Sequence, residues 1–466
     1  MSLILAKSKI KTEIREYLRL AIPLAIAQLT QSITGFADSV MMGRLGQEIL
    51  AAGGLAALTF GAVLITASGF VMGVTPLVAE AYGANRPTQI ALIARQGLWL
   101  SLILTIPMML LIERMDTIMI HLGQAATTVT LANTYLDIML WGFFPAVAFS
   151  VLRGVVAALQ EARPIMAIVI AGTLFNVAGN YVLGFGKLGF PQMGIAGLAI
   201  ASVISLWGMF LALVVYILRH KQLRKYCFFQ NLHQIKPRII GGLIHIGFPI
   251  GVSSALEVGL FTVVTYLMGI LGTDVLAAHQ IVFQTIAVIF MIPLGMSFAT
   301  TARVGQWFGQ QNLEGATRAG YVSMFVGMGF MALMTMALLM FPYQVIGLYL
   351  DISKPENRNV IELAKPMLTV AAISQILDSL QKTTQGALYG LQDTRIPMFL
   401  SLSAFWGVGL TSGYLLGFPL GLGGTGLWIG QSIGVGIAAI VFVWRLRKLL
   451  VKLQWTVDSG QLTVDS

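Results

Sequence analysis

Long apolar runs, each able to cross a lipid bilayer, recur along this chain and leave few alternatives for its fold. A spanning helix needs roughly 20 mostly apolar residues. Runs of that order lie near 17–43, 52–80, 92–112, 131–157, 163–185, 194–218, 241–271, 276–303, 317–345, 362–388, 397–418 and 424–445. The breaks between them carry Gly, Pro or charge, as in GRLGQE, YGANRP, LQEARP, GKLGFPQ, LGTD and DISKPENRN. Backbone polar groups in lipid must be satisfied internally, so runs of this length read as helices. They leave no stretch for a sizeable soluble domain. The segment KSKIKTEIREYLR precedes the first run, which therefore reads as a retained span and not a cleaved signal.

Composition agrees. The chain is 57% hydrophobic and 10% charged, whereas a soluble domain carries about 25% charged residues. The net charge of +10 would suit nucleic acid, but its distribution points elsewhere. With the N-terminus in the cytoplasm and the sides alternating, only Arg44, Arg114, Lys187, Lys354, Arg358 and Lys365 of the 29 Lys and Arg fall outside. That bias predicts both termini in the cytoplasm and accounts for the basic charge without nucleic acid. The single cysteine, Cys227, excludes an internal disulfide framework and a multi-cysteine metal site.

Shifted by 226 residues, the sequence matches itself. Gly43, Leu45, Gly46, Leu50, Ala51 and Ala52 fall on Gly269, Leu271, Gly272, Leu276, Ala277 and Ala278, and Pro23 falls on Pro249. RGVVAALQEARPIM at 153–166 is similar to QGALYGLQDTRIPM at 385–398. Each copy holds six spans, so both keep the same orientation. The expected fold is an all-α integral membrane protein of twelve transmembrane helices, in two parallel six-helix repeats around a central cleft. The expected domains are an N-terminal lobe at 1–218, a basic cytoplasmic linker at 219–240, and a C-terminal lobe with a short cytoplasmic tail at 241–466.

Ionisable groups inside a span are costly and point to function. Asp38 lies late in the first span among Gln28, Gln31, Ser32, Thr34 and Ser39, which could equally satisfy it structurally. Glu257 in the seventh span and Asp378 in the tenth lie far from either span end. Two carboxylates in one half can share a proton or a hard cation such as sodium. Lys382 is four residues after Asp378, on the same helix face. It reads either as a snorkelling or pairing lysine or as a built-in cation that competes with the coupling ion. Asn176, Asn180 and Ser202 are candidates for interhelical hydrogen bonding or for coordination together with Asp38. Asp137 and His279 read as structural. There is no GxxxxGK[ST] loop, HExxH pair or GxSxG elbow, which leaves an enzyme reading without support.

At these residues the chain resembles the multidrug and toxic compound extrusion (MATE) family, NorM-like branch. The likeness rests on FADSVMMGRLG, RGVVAALQEARPIM, FNVAGNYVLGFGKLGFPQMGIAGLAIAS, GFPIGVSSALEVGLF, LGTDVLAAHQI and ILDSLQKTTQGALYGLQDTRIPM, in that order along nearly the whole chain. The resemblance implies a secondary multidrug exporter in the cell inner membrane, which antiports organic, mainly cationic compounds against inward protons or sodium. It implies no cofactor beyond that coupling ion, no obligate protein partner and a monomer. It carries a cation-site role, with sodium as one candidate, onto Glu257 and Asp378. A proton- or cation-linked role falls on Asp38, Asn176 and Asn180, with Ser202 where a threonine is common. Pro23 resembles the proline linked to bending of the first helix. Two departures argue against sodium: Ser374 stands where relatives can carry tyrosine, and Lys382 occupies a position often apolar. The alternatives are a lipid-linked oligosaccharide flippase of the wider superfamily, which would favour several cationic side chains in the cleft, and a channel or sensor.

Overall fold

The computed structural model describes residues 2–121 and 124–458, with side chains for 8–121 and 124–455. Lys7, counted above on the cytoplasmic side, and the end of the C-terminal tail lie outside the described side chains. Among the described residues there is no strand, and twelve helices are long and apolar enough to cross a membrane. They are α1 (Ser8–Leu45), α2 (Gln47–Gly83), α3 (Pro87–Glu113), α4 (Ala126–Ala158), α5 (Arg163–Gly184), α6 (Gly194–Arg219), α7 (Pro237–Ile270), α8 (Thr273–Gly309), α9 (Leu313–Met340), α10 (Pro355–Gly390), α11 (Arg395–Gly417) and α12 (Gly423–Trp455).

All twelve expected runs are helices, and the differences lie at their ends. The ninth run reads to 345, but α9 stops at Met340. Pro342 cannot donate a helix hydrogen bond, and a separate short helix, Pro342–Ile346, starts there. Prolines also lie inside helices: Pro23 in α1, Pro249 in α7, Pro145 in α4 and Pro366 in α10. Lipid and neighbouring helices tolerate such interruptions.

The chain forms two compact units whose borders do not follow the chain order. Unit 1 is Met1–Ala25 with Leu256–Ser466, and unit 2 is Ile26–Ala255. The first part of α1 therefore packs with the second half of the chain, and the first part of α7 with the first half. The lobes read from sequence, 1–218 and 241–466, differ from these units by that exchange. Both borders fall a few residues after Pro23 and Pro249.

In unit 1 the first part of α1 is held by a buried clasp. Arg303 Nε and Nη2 donate to the two carboxylate oxygens of Glu13 at 2.9 Å each, and Trp307 Nε1 donates to Glu13 Oε2 at 3.1 Å. Tyr17 donates to the carbonyl of Met296 at 3.2 Å. At Gly386 on α10, a Cβ would come within 2.5 Å of the Ser297 carbonyl on α8. Small residues let helix backbones approach in membranes, where lipid removes any hydrophobic drive between helices. In unit 2 the same device joins α2 to α7: a Cβ at Gly69 would lie 2.5 Å from the Gly251 Cα. The basic connecting segment is tied along α3. Arg95, Gln96 and Trp99 donate to the carbonyls of Gln230, Gln234 and Leu232 at 2.6, 2.8 and 2.6 Å, and Gln96 Oε1 accepts from the Lys236 N–H at 2.8 Å.

Candidate functional site

Unit 2 gathers four of the residues singled out in the sequence into one hydrogen-bonded chain. Asn180 Nδ2 donates to Asp38 Oδ1 at 2.5 Å and to Asn176 Oδ1 at 3.1 Å. Asn176 Nδ2 donates to Ser202 Oγ at 3.0 Å. Asn176, Asn180 and Ser202 are buried, and Asp38 is half-buried. Local structure explains the aim of Asn180. The last turn of α5, Asn180–Gly184, is a π-helix, a rare widened turn often found at functional sites. One helical turn from Asp38, the Thr34 and Thr173 hydroxyls meet at 2.6 Å and hold α1 against α5. Asn180 Oδ1 is buried without a hydrogen-bond partner. A buried unpaired amide oxygen costs free energy comparable to a lost hydrogen bond, so this group presents an acceptor beside a carboxylate. Tyr135 on α4 completes the group: it is buried, in hydrogen-bonding reach of Ser202 and in the field of Asp38. The sequence reading passed over it. Its signal was a tyrosine hydroxyl deep in a span, which needs a polar partner when buried.

Unit 1 brings charges of both signs together. Lys382 Nζ lies 2.6 Å from Glu257 Oε2 and donates more weakly to Gln385 Oε1 at 3.4 Å. The same ammonium sits over the Phe290 ring, 5.4 Å from its centroid. The pair is poorly hydrated: the lysine side chain is 8% exposed and the glutamate 20%. Asp378, half-buried, accepts from Gln375 Nε2 at 3.1 Å and lies in the field of both Glu257 and Lys382. The sequence suggested Asp378, one turn away, as the partner of Lys382; the ion pair instead crosses to Glu257 on α7. The snorkelling alternative fails too, because the ammonium stays inside the protein. Trp406, in the π-helical stretch Leu402–Leu410 of α11, donates to the Leu256 carbonyl at 3.0 Å and packs beside Gly259. It thereby fixes the turn of α7 that carries Glu257. A widened turn in the fifth helix of each half thus reaches a helix bearing a carboxylate.

The other candidates separate from these groups. Ser374 is buried and lines an apolar groove with Leu377, Ile433 and Gly436. Asp137 is exposed. His279 is fully buried, 3.0 Å from the Thr265 hydroxyl and stacked on Phe283, which fits a packing role. Among the described residues no cluster of three or more His, Cys, Asp or Glu could hold a metal ion.

Both halves of the chain match the family described as MatE, over residues 23–182 and 249–415. The chain belongs to the MatE family. The two MatE matches begin 226 residues apart, the same shift that superposes the sequence on itself. A "Probable multidrug resistance protein NorM" of Synechocystis sp. is 53% identical over 442 residues, which is 95% of this chain and 96% of that protein. Another of the same name, from Rhizobium meliloti, is 37% identical over 443 residues and 94% of each chain. Among solved structures, the "Outward-facing conformation of a multidrug resistance MATE family transporter of the MOP superfamily" has a TM-score of 0.86. It is 22% identical and covers 95% of this chain and 97% of its own. The eukaryotic MATE transporter AtDTX14 has a TM-score of 0.84 at 21% identity, covering 96% and 100%. At such identities the structures speak for the fold alone, and the fold is that of MATE transporters.

Proposed function

We propose that this protein exports organic, mainly cationic and amphipathic compounds across the inner membrane, in exchange for protons or sodium ions moving inward. The NorM-named relatives, similar over nearly their full length, support the multidrug part. The observation that carries the coupling is that each unit holds carboxylates at spanning depth in a built polar setting: Asp38 among amides, and Glu257 and Asp378 beside an ammonium. Carboxylates so placed would be retained against their cost if they bind and release the driving ion. Each net charge moved inward supplies about 2.3 kcal/mol per 100 mV; exporting a monovalent cation costs the same, so one ion per cationic drug draws on the ion gradient alone and two draw on the potential as well.

Two similar halves suit alternating access by rocking, with Pro23 and Pro249, each inside a continuous helix, as the points where those helices would bend. The protein acts as a monomer with both termini in the cytoplasm. The flippase alternative needs several cations to hold a lipid-linked phosphate, and Lys382, which it would recruit, is engaged by Glu257.

The test is dye transport in proteoliposomes, with a sodium gradient and a pH gradient imposed separately at zero membrane potential. One gradient alone drives a cationic fluorescent dye, and Glu257→Gln with Asp378→Asn abolishes that movement. Unchanged transport in this double variant refutes the coupling role.

A further inference from the structure

We propose that Lys382 is a specificity-determining residue: its ammonium occupies the cation position at Glu257 and thereby excludes sodium from the unit 1 site. The inference rests on the antiport reading above only for its consequence; the occupancy itself rests on geometry. Lys382 Nζ has what a small monovalent cation would seek there. A carboxylate oxygen lies at 2.6 Å, an amide oxygen at 3.4 Å, and the face of an aromatic ring beneath. Its side chain is 8% exposed, so it is not a surface lysine that folded back by chance.

The tether makes this cation hard to displace. A mobile ion must compete with an ammonium whose effective concentration is fixed by the helix that carries it. A sodium ion on the same carboxylate oxygen, at the roughly 2.4 Å of a hard-cation contact, would sit within about 5 Å of Nζ. Like charges at that distance, at an effective dielectric of about 20, cost about two orders of magnitude in affinity. Displacing the lysine instead would strip a buried ammonium of its main partner, which is costly in itself. The remaining carboxylate, Asp378, has Gln375 as its donor and lies in the field of both Glu257 and Lys382, so the exclusion argued here is at Glu257. Unit 2, by contrast, has neutral amides and hydroxyls around Asp38, and nothing there excludes an alkali ion. The proposal therefore concerns unit 1 alone.

The test is binding of radioactive sodium to the purified full chain by scintillation proximity, which needs no transport and so stands apart from the antiport reading. Asp38→Asn serves as background to silence unit 2. In this background, with Lys382 in place, no Glu257-dependent sodium binding at millimolar concentration is expected. Adding Lys382→Val, or Lys382→Gln should the first fold poorly, gives binding at least about a hundred-fold tighter, and Glu257→Gln removes it again. Two results overturn the proposal: Glu257-dependent sodium binding with Lys382 present, or none in a folded Lys382 variant. Dye transport that fails under both gradients would sink the antiport reading and leave this binding result standing.

Discussion

Breaking the clasp between Glu13 and Arg303 should unfold unit 1 at markedly lower temperature, whereas replacing both partners should not. The two side chains are 3% and 9% exposed, and two charge-assisted hydrogen bonds join them. Trp307 donates to the same carboxylate, and the guanidinium lies 5.6 Å from the centre of its ring. Glu13→Gln keeps the shape and a hydrogen bond but leaves a buried guanidinium without its counter-charge. Losing one partner of a buried pair costs about 3–5 kcal/mol, and Arg303→Met should cost the same. The double variant Glu13→Leu with Arg303→Met removes both charges together and should recover most of that loss, because a well-packed apolar pair often equals a buried ion pair. The assay is a double-mutant cycle on thermal unfolding of the detergent-solubilised protein, followed by tryptophan fluorescence. An interaction energy of a few kcal/mol is expected. Single variants that each cost under about 1 kcal/mol would refute the reasoning, since the pair would then behave as a solvated surface bridge.

Three further outcomes follow from particular contacts. Asn180→Leu removes the amide that binds Asp38 and Asn176. A hydrogen bond to a charged group is worth about 1.5–3 kcal/mol, so the driving-ion concentration for half-maximal dye efflux should shift by about 10- to 100-fold with folding intact. Gly386→Ala places a Cβ against the Ser297 carbonyl; overpacking of this kind costs about 1–3 kcal/mol, read as a lower melting temperature. Cys227 is the chain's single cysteine and is exposed in the connecting segment. A membrane-impermeant maleimide should therefore label inverted vesicles and spare right-side-out cells, and the opposite pattern would overturn the N-in orientation.

The helices were legible because hydropathy and length alone select a spanning helix, and lipid leaves the backbone no other choice. Their ends were less so, since a single proline such as Pro342 can stop a run that is still apolar. Asp38, Glu257 and Asp378 stood out for the same reason that spans do: a charge in lipid is conspicuous against its background. What the sequence could not supply was partnership. Lys382 sits one turn from Asp378, and helix periodicity favours that pair, yet packing of α10 against its neighbours decides for Glu257. Tyr135 and Trp406 were missed because an aromatic residue in a span is usually lipid-facing or packing, and only the neighbouring helix shows whether its polar atom has work to do. The widened turns at Asn180–Gly184 and Leu402–Leu410 leave no mark in hydropathy at all.

The repeat makes the contrast between the two units informative. Both descend from one pattern, matched twice by the same family, and both bring a polar group from a widened fifth helix against a helix that carries a carboxylate. They differ in what balances that carboxylate. In unit 2 the donor to Asp38 is neutral, so no built-in counter-charge competes with a mobile cation or proton there. In unit 1 the counter-charge is built in, so Glu257 is already neutralised by Lys382 and Asp378 is the carboxylate left without an opposite charge of its own. Two sites that began alike would then differ in the ion they admit. On the antiport reading proposed above, a site open to mobile ions and a site closed to sodium would coexist in one chain. A cationic drug approaching Glu257 would meet the same repulsion from Lys382 that sodium does, unless it carries enough apolar surface to offset it at about 25 cal/mol per Å². Small inorganic cations have no such surface, which is how one lysine could favour amphipathic cations over the ions that surround them.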